Sequence, residues 1–170
     1  MKLRKFLVLV FVLLLLSGCK SKQETAVNLR SISFCADITY YNENYNADCA
    51  IGNNGDFTAV ITKPEALAGL SLEYSDDGCK LKYNGLEINN KQSFIPENCS
   101  LDILKNVLGD CENCILQNSN GNLRLDGKYG KYEYCLTVAP TGLPISLEIP
   151  DLGFKVAFKN VTFSGNKELS

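Results

Sequence analysis

The sequence predicts a mostly β protein built from about nine antiparallel strands with one inserted helix. From Ser33 onward, short segments alternate apolar and polar residues, which is the two-residue period of a strand with one buried face. Turn-forming pairs such as Asn-Gly, Asp-Gly and Thr-Gly separate these segments at close spacing, as in an antiparallel meander. One segment, between Pro96 and Asp110, follows a helical period instead.

Six strands are predicted before the helix. SFCADITYY is the first, and YNADCAIG returns antiparallel to it after a turn at NEN. This turn would place Tyr41 opposite Tyr45 and Cys49 opposite Asp37. FTAVITKP, LSLEYS, CKLKYN and LEIN predict the next four strands. Pro64 ends the third strand, because proline has no backbone N–H to donate to a ladder.

The inserted helix is predicted by PENCSLDILKNVLGD, in which four apolar residues fall on one face: Leu101, Leu104, Val107 and Leu108. Ser100 is a favourable N-cap and Gly109 a favourable C-cap. The segment QNSNGN that follows predicts a loop.

Three further strands complete the sheet: GKYEYCLTVAP, LPISLEI and FKVAFKNVTF. In the second of these, Ile145 and Leu147 share a face. In the third, the alternation continues to Phe158 and changes phase at Asn160, as it would at a β-bulge.

Three segments carry a family resemblance: YNADCAIGNNGDFTAVITKPEALAGLSLEYSDDGCKLKYNGLEI, the helix after IPENCS, and YCLTVAPTGLPISLEIPDLGFKVAFKNVTF. In this order they resemble the half-barrel lipoproteins and lipid carriers similar to LolA and the mycobacterial LprG group. In outline the chain is also similar to the clostridial spore-germination lipoproteins. The resemblance implies one domain over residues 31–166. Its fold would be a strongly curved antiparallel sheet, an unclosed half-barrel wrapped around an apolar hollow.

The apolar hollow is expected to be lined by side chains on the apolar phase of each strand: Phe34, Ile38, Phe57, Ile61, Leu136, Val138, Ile145, Leu147, Val156 and Phe158. Leu104 and Val107 of the helix would dock onto them as a small lid. A long sheet needs its apolar face covered, and one short helix cannot cover nine strands. Either the sheet curls on itself, or a ligand or partner covers the remainder.

The N-terminus predicts export and lipid anchoring. A basic start (MKLRK) precedes an apolar run, residues 6–16, that is too short to span a hydrocarbon core of about 30 Å. LSGC matches the bacterial lipobox, so residues 1–18 are predicted to be a lipoprotein signal peptide and residues 19–30 a tether. Cys19 would carry palmitate-type acyl chains and hold the protein at the outer face of the cytoplasmic membrane. The alternative is an ordinary cleavable signal with a chance cysteine.

Composition argues against several functions. The 170-residue chain contains no histidine, which removes the commonest general base, Ser-His-Asp and Cys-His catalysis, and most catalytic zinc sites. Its net charge is −2, with no basic tract after the signal, so nucleic acid is not an expected partner. We predict that the protein is not an enzyme and needs no cofactor or metal. Carboxylate chemistry is the enzymatic alternative.

The cysteines leave two alternatives open. Of the eight cysteines, seven follow Cys19, and exported chains usually form disulfides. Because seven is odd, at least one thiol is free or pairs between molecules. Cys111 and Cys114 have redox or metal-ligand spacing but lack a βαβ context and a second such pair. We interpret them as a structural disulfide or thiol pair, with redox catalysis and metal binding as alternatives.

Two functions are therefore predicted. The first is a membrane-anchored, non-enzymatic binding module that presents its curved sheet to another envelope protein. The second is a carrier that holds a lipid or other apolar ligand in the hollow. The small lid favours the first.

Overall fold

The sheet of this protein is open and entirely antiparallel. The computed structural model describes residues 29–90, 99–111, 116–119 and 121–163. These residues form eleven strands in one sheet and one α-helix. The predicted fold class, mostly β with one inserted helix, is confirmed.

The strands have the following bounds: β1 (Ile32–Tyr40), β2 (Glu43–Ile51), β3 (Phe57–Lys63), β4 (Ser71–Ser75), β5 (Gly78–Tyr83), β6 (Leu86–Asn90), β7 (Gln117–Ser119), β8 (Asn122–Tyr129), β9 (Tyr132–Val138), β10 (Pro144–Ile149) and β11 (Phe154–Phe163). Helix α1 (Ser100–Asp110) falls between β6 and β7 in sequence. Short 3-10 turns occupy Glu65–Leu67 and Pro150–Leu152. No helix in these ranges is long and apolar enough to span a membrane.

Two meanders make up the sheet. Its strand order is β6-β5-β4-β3-β2-β1-β11-β10-β9-β8-β7, so β1 to β6 form one arm and β7 to β11 the other. The arms join where β1 pairs with β11, from Ile32 opposite Phe163 to Thr39 opposite Lys155. The register shifts in this seam at Asn160, whose φ is +51°, so the predicted bulge is confirmed.

Asp102 shows how strongly the sheet curves. The hydroxyl of Tyr74 on β4 donates to Asp102 Oδ1 at 3.2 Å, and the hydroxyl of Tyr129 on β8 donates to Oδ2 at 3.4 Å. Strands β4 and β8 are seven positions apart in the sheet. At roughly 4.8 Å per strand they would lie about 34 Å apart if the sheet were flat. Because both tyrosines reach one carboxylate of α1, the sheet wraps around the helix as a half-barrel.

The strands beyond the predicted nine are β7 and β8. The segment QNSNGN, predicted to be a loop, instead forms β7 and a turn, with Ser119 opposite Asn122. Gln117 and Ser119 are exposed, and an edge strand exposed in this way needs no apolar alternation. In β8, Leu123 and Leu125 follow the apolar alternation, but Gly127 has no side chain to continue it, so the sequence pattern did not indicate this strand.

The first hairpin turns at Tyr41 and Asn42, not at NEN as predicted. Both residues have positive φ, +48° and +66°, as a two-residue type I′ turn requires. Cys49 therefore lies opposite Phe34, and Cys35 lies opposite Asp48. One cysteine is buried on the inner face while the other lies on the outer face, so no bridge joins them.

The N-cap of helix α1 is Cys99, not Ser100 as predicted, and the helix begins at Ser100. Cys99 has the extended backbone of an N-cap, and its Sγ accepts a hydrogen bond from the Asp102 N–H at 3.4 Å. Gly109, predicted as the C-cap, lies inside the helix, and Cys111 ends it.

Candidate functional site

The helix fills the middle of the predicted hollow. Apart from Ile145, the strand residues expected on the concave face are buried: Phe34, Ile38, Phe57, Ile61, Leu136, Val138, Leu147, Val156 and Phe158. Leu104 and Val107 of α1 are also buried, and all of these side chains belong to one hydrophobic cluster. The centre of the half-barrel is therefore a packed core.

Ile145 does not lie on the concave face, contrary to the prediction. Its side chain is 39% exposed. Pro144 pairs with Val138, whereas Ser146 pairs with the adjacent Thr137, so β10 contains one extra residue at this point. This bulge reverses the alternation, and Pro144 takes the inward position.

One end of the concave face is not filled. A groove of about 380 Å³ lies beside the start of α1, between the 3-10 turn that ends at Leu67 and the inner faces of β1 to β5. Its lining is mostly apolar: Tyr40, Tyr45, Ile61, Leu67, Leu70, Leu72, Leu81, Cys99, Ser100 and Leu101. Beside the last turn of the helix, around Leu108 and Gly109, the gap is only about 80 Å³.

A row of apolar residues shows why the groove remains open. Ala59, Leu72, Leu81 and Ile88 lie directly opposite one another on β3, β4, β5 and β6. The first two are 1% and 2% exposed, Leu81 is partly buried, and Ile88 is 52% exposed. Tyr74 on β4 contacts Asp102 of α1, whereas Ile88 on β6 is exposed, so among the described residues the apolar row extends past its cover.

The groove is uncharged at neutral pH as far as its described lining goes. Those residues include no Asp, Glu, Lys or Arg. Burial raises the pKa of Tyr40 to about 12, with a further contribution from the neighbouring Tyr41. Burial also raises the pKa of Cys99, so its thiol stays protonated. The groove can therefore accept apolar groups, and the hydroxyl oxygens of Tyr45 and Ser100 add polar atoms at its surface.

Three further cysteine thiols are held in the protonated form. Burial raises the pKa of Cys49 to about 12, and it also raises the pKa values of Cys79 and Cys135. A protonated thiol is a weak nucleophile and a weak metal ligand. No group of three or more Cys, Asp or Glu within the described ranges is arranged to hold a metal ion.

Two predicted cysteine roles and the predicted signal peptide rest wholly or partly on residues outside the described ranges. Cys111 is buried, its thiol donates to the Val107 carbonyl at 2.9 Å, and it lies 3.8 Å from the Tyr134 hydroxyl. Cys114 lies outside the described residues, as does Cys19. The Cys111–Cys114 pair, the lipidation of Cys19 and the signal peptide over residues 1–18 stay predictions.

The last two residues of the predicted tether, Leu29 and Arg30, contact the domain. Leu29 is buried, and Arg30 donates to the Asn53 carbonyl at 3.1 Å.

The groove residues were not among those predicted for the hollow, apart from Ile61. Leu72 and Leu81 lie on the apolar phase of LSLEYS and CKLKYN, so the alternation alone would have identified them. Leu67 and Leu70 had no such signal, because they belong to an irregular segment that the β3–β4 connection places over the sheet.

The comparisons with known proteins concern the fold. No family model and no curated protein matches the sequence. The chain is similar to a structure of the CwlD amidase from Clostridioides difficile in complex with the GerS lipoprotein, at 23% identity and a TM-score of 0.46, covering 76% of this chain and 85% of that one. It is also similar to an uncharacterized conserved protein from Thermus thermophilus, at 10% identity and a TM-score of 0.48, covering 81% and 82%.

A LolA superfamily protein from Nitrosomonas europaea is a third similar structure, at 12% identity and a TM-score of 0.34, covering 73% of this chain and 66% of that one. The structures to which this chain is similar thus include a LolA superfamily protein, the group that its sequence resembles. At these identities no functional residue transfers to this chain.

Proposed function

We propose that the protein is an exported, lipid-anchored binding module whose open groove contacts a partner protein of the cell envelope. The observation that carries this proposal is the apolar lining between the start of α1 and β1 to β5, which the described residues leave uncovered, together with the exposed Leu86 and Ile88 of β6. Covering apolar surface is favourable by about 25 cal/mol per Å², and contiguous exposed patches of this kind typically mark interaction sites.

Membrane anchoring through Cys19 is part of the proposal. The basic start, the short apolar run and LSGC support it. We expect Cys19→Ala to remain uncleaved by the lipoprotein peptidase and unlabelled by a fatty-acid analogue. Continued labelling of that variant would contradict anchoring at this residue.

A second candidate function is the binding of a lipid or another apolar small molecule. The groove volume of about 380 Å³ supports it, because small-molecule sites commonly enclose about 300–1,000 Å³. We place it second, because α1 fills the centre of the half-barrel and leaves only one end for a ligand.

Site-specific photocrosslinking in the membrane-anchored protein tests both functions. A photoreactive amino acid at Leu70, in the groove wall, is compared with the same amino acid at Lys155, on the exposed outer face of β11. A protein partner should give one discrete protein adduct at Leu70 that is absent at Lys155. A lipid ligand should give an adduct of lipid mass at Leu70, determined by mass spectrometry. Equal labelling at the two positions would contradict a binding role for the groove.

A further inference from the structure

We infer that edge strand β6 is a strand-addition site for an extended segment of a partner protein with the side-chain pattern apolar–basic–apolar. This inference rests on the proposed binding function and specifies the chemistry of the partner. It is carried by three features of β6: its position, its inner face and its outer face.

Strand β6 forms one edge of the sheet. Within the described ranges no strand pairs with its outer side, and each of its five residues is exposed. In an antiparallel sheet, alternate residues of an edge strand direct their N–H and C=O groups away from the sheet. An extended chain can pair with these groups, which is the main-chain component of recognition by strand addition. A lipid has no row of peptide groups at strand spacing to pair with them.

The inner face of β6 specifies apolar residues. Leu86 is 73% exposed and Ile88 is 52% exposed, and both point to the side on which Leu81 lines the groove. A twelfth strand would place its own residues next to these two. Apolar side chains at those positions would extend the row that begins at Ala59 and Leu72.

The outer face of β6 specifies a cation. Glu73, Lys80, Lys82 and Glu87 form a square of alternating charge on β4, β5 and β6. Lys82 Nζ lies 3.0 Å from Glu73 Oε1, and Lys80 Nζ lies 3.4 Å from Glu87 Oε1. Lys82 lies directly opposite Glu87, whose side chain is 52% exposed at the edge. A residue opposite Glu87 on an added strand would meet a carboxylate, so Lys or Arg would continue the alternation.

A second copy of β6 satisfies this pattern less well. Two β6 strands related by a two-fold axis through the sheet must pair about a common residue, so that their inner faces remain on one side. Pairing about Glu87 would put two carboxylates opposite each other. Pairing about Ile88 would put Leu86 opposite Asn90 and Glu87 opposite Asn89, and pairing about Asn89 would put Ile88 opposite Asn90, so that no residue of β6 supplies a cation facing Glu87. A different chain that carries Lys or Arg between two apolar residues fits better.

Selection from a displayed peptide library tests the inference. The probe is a library of nine-residue peptides whose three central positions vary fully, presented to the mature protein from Cys19 onward in detergent micelles. On the wild-type protein we expect enrichment of Lys or Arg between two apolar residues. On Glu87→Lys the central preference should reverse to Asp or Glu. The matched control is Glu133→Lys, an exposed charge reversal on β9, which should leave the preference unchanged.

Hydrogen exchange locates the bound peptide. The amides of Glu87 and Asn89, which face away from β5, should exchange quickly in the free protein and more slowly with a selected peptide. The inference would be overturned by slow exchange in the free protein, by a selected motif that is insensitive to Glu87→Lys, or by self-association through β6. If the Leu70 crosslink to a partner persists in Glu87→Lys, the proposed function stands and strand addition at β6 is wrong. If the wild-type protein gives no crosslink at Leu70, the proposed function itself is wrong.

Discussion

Two corresponding rows of inward-facing apolar residues, one in each arm of the sheet, are buried to very different extents. In one arm, Val156, Leu147, Leu136 and Leu125 follow one another across β11, β10, β9 and β8, and all are at most 3% exposed. In the other arm, Ala59, Leu72, Leu81 and Ile88 follow one another across β3 to β6, and exposure rises to 52% at Ile88.

The difference teaches that apolar alternation specifies which face of a strand points inward but not whether anything covers that face. Both rows end in a large aliphatic residue, Leu125 in one and Ile88 in the other. Only the first is buried to its end, where the Tyr134 ring of β9 lies over Gly127 of β8 and its hydroxyl lies 3.8 Å from the Cys111 thiol at the end of α1. In the described part of the chain nothing covers the end of the second row, and we propose the binding site there.

The comparison predicts that truncating one aliphatic side chain of each row to alanine changes the free energy of unfolding by very different amounts. Leu136→Ala creates a cavity in the covered arm and should lower the free energy of unfolding by about 2–5 kcal/mol. Ile88→Ala removes a half-exposed side chain and should change it by no more than about 0.5 kcal/mol. Urea unfolding of both variants measures this. A similar loss for the two would mean that β6 is covered after all.

Gly127 offers a second way to test the covered arm. A Cβ atom at this residue would overlap the ring of Tyr134, which lies directly opposite on β9 and covers the glycine backbone. Gly127→Ala should therefore destabilise the fold by about 1–3 kcal/mol. Gly109→Ala is the matched control: nothing lies within 4 Å of its Cβ position, and alanine favours the helix, so stability should rise by about 0.5–1 kcal/mol. A neutral Gly127→Ala would show that Tyr134 moves away freely.

The smallest expected effect concerns the seam between the arms. Lys159 on β11 donates a hydrogen bond to Asp37 on β1, and this lowers the pKa of that carboxyl below its ordinary value of 3.8. A lowered folded-state pKa contributes stability above the unfolded pKa, and the contribution is lost as pH falls through the folded pKa. The pair is exposed, so about 0.2–1 kcal/mol is expected.

Urea unfolding at pH 7 and at pH 3 measures this seam effect. Asp37→Asn should lose less stability on acidification than the wild type. Asp77→Asn, which removes one negative charge from an exposed turn, is the control. Equal acid dependence in Asp37→Asn and wild type would show that the pair contributes nothing to the seam.

The sequence predicted those features that local chemistry determines. The bulge at Asn160 followed from a break in alternation, and the helix followed from its apolar period. The two errors in register arose where a local cue competes with geometry. The I′ turn requires positive φ at Tyr41, and a tyrosine in the sequence does not indicate such a turn. The bulge at Ile145 turns an apolar side chain outward, and no polar residue at that position indicates this.

That this end of the concave face stays open was beyond prediction for another reason. Leu72 and Ile88 look alike in sequence, because each occupies the apolar phase of a short strand. Their different burial depends on where α1 begins relative to β4 and β6, which is a matter of three-dimensional packing. The family resemblance implied the strong curvature, but alternation alone does not indicate it, because the curvature brings Tyr74 and Tyr129, two residues far apart in sequence, to Asp102.

The strand order has a consequence for folding. Apart from the seam, every strand pairs only with its neighbours in sequence, and the seam brings Ile32 beside Phe163. A circular permutant that links residue 163 to residue 32 through a short linker and opens between β6 and α1 would run β7 to β11 and then β1 to β6. Every strand pairing would then be local. Folding slows as contacts become more distant in sequence, so the permutant should fold faster than the natural order. Stopped-flow refolding of the two chains measures the difference.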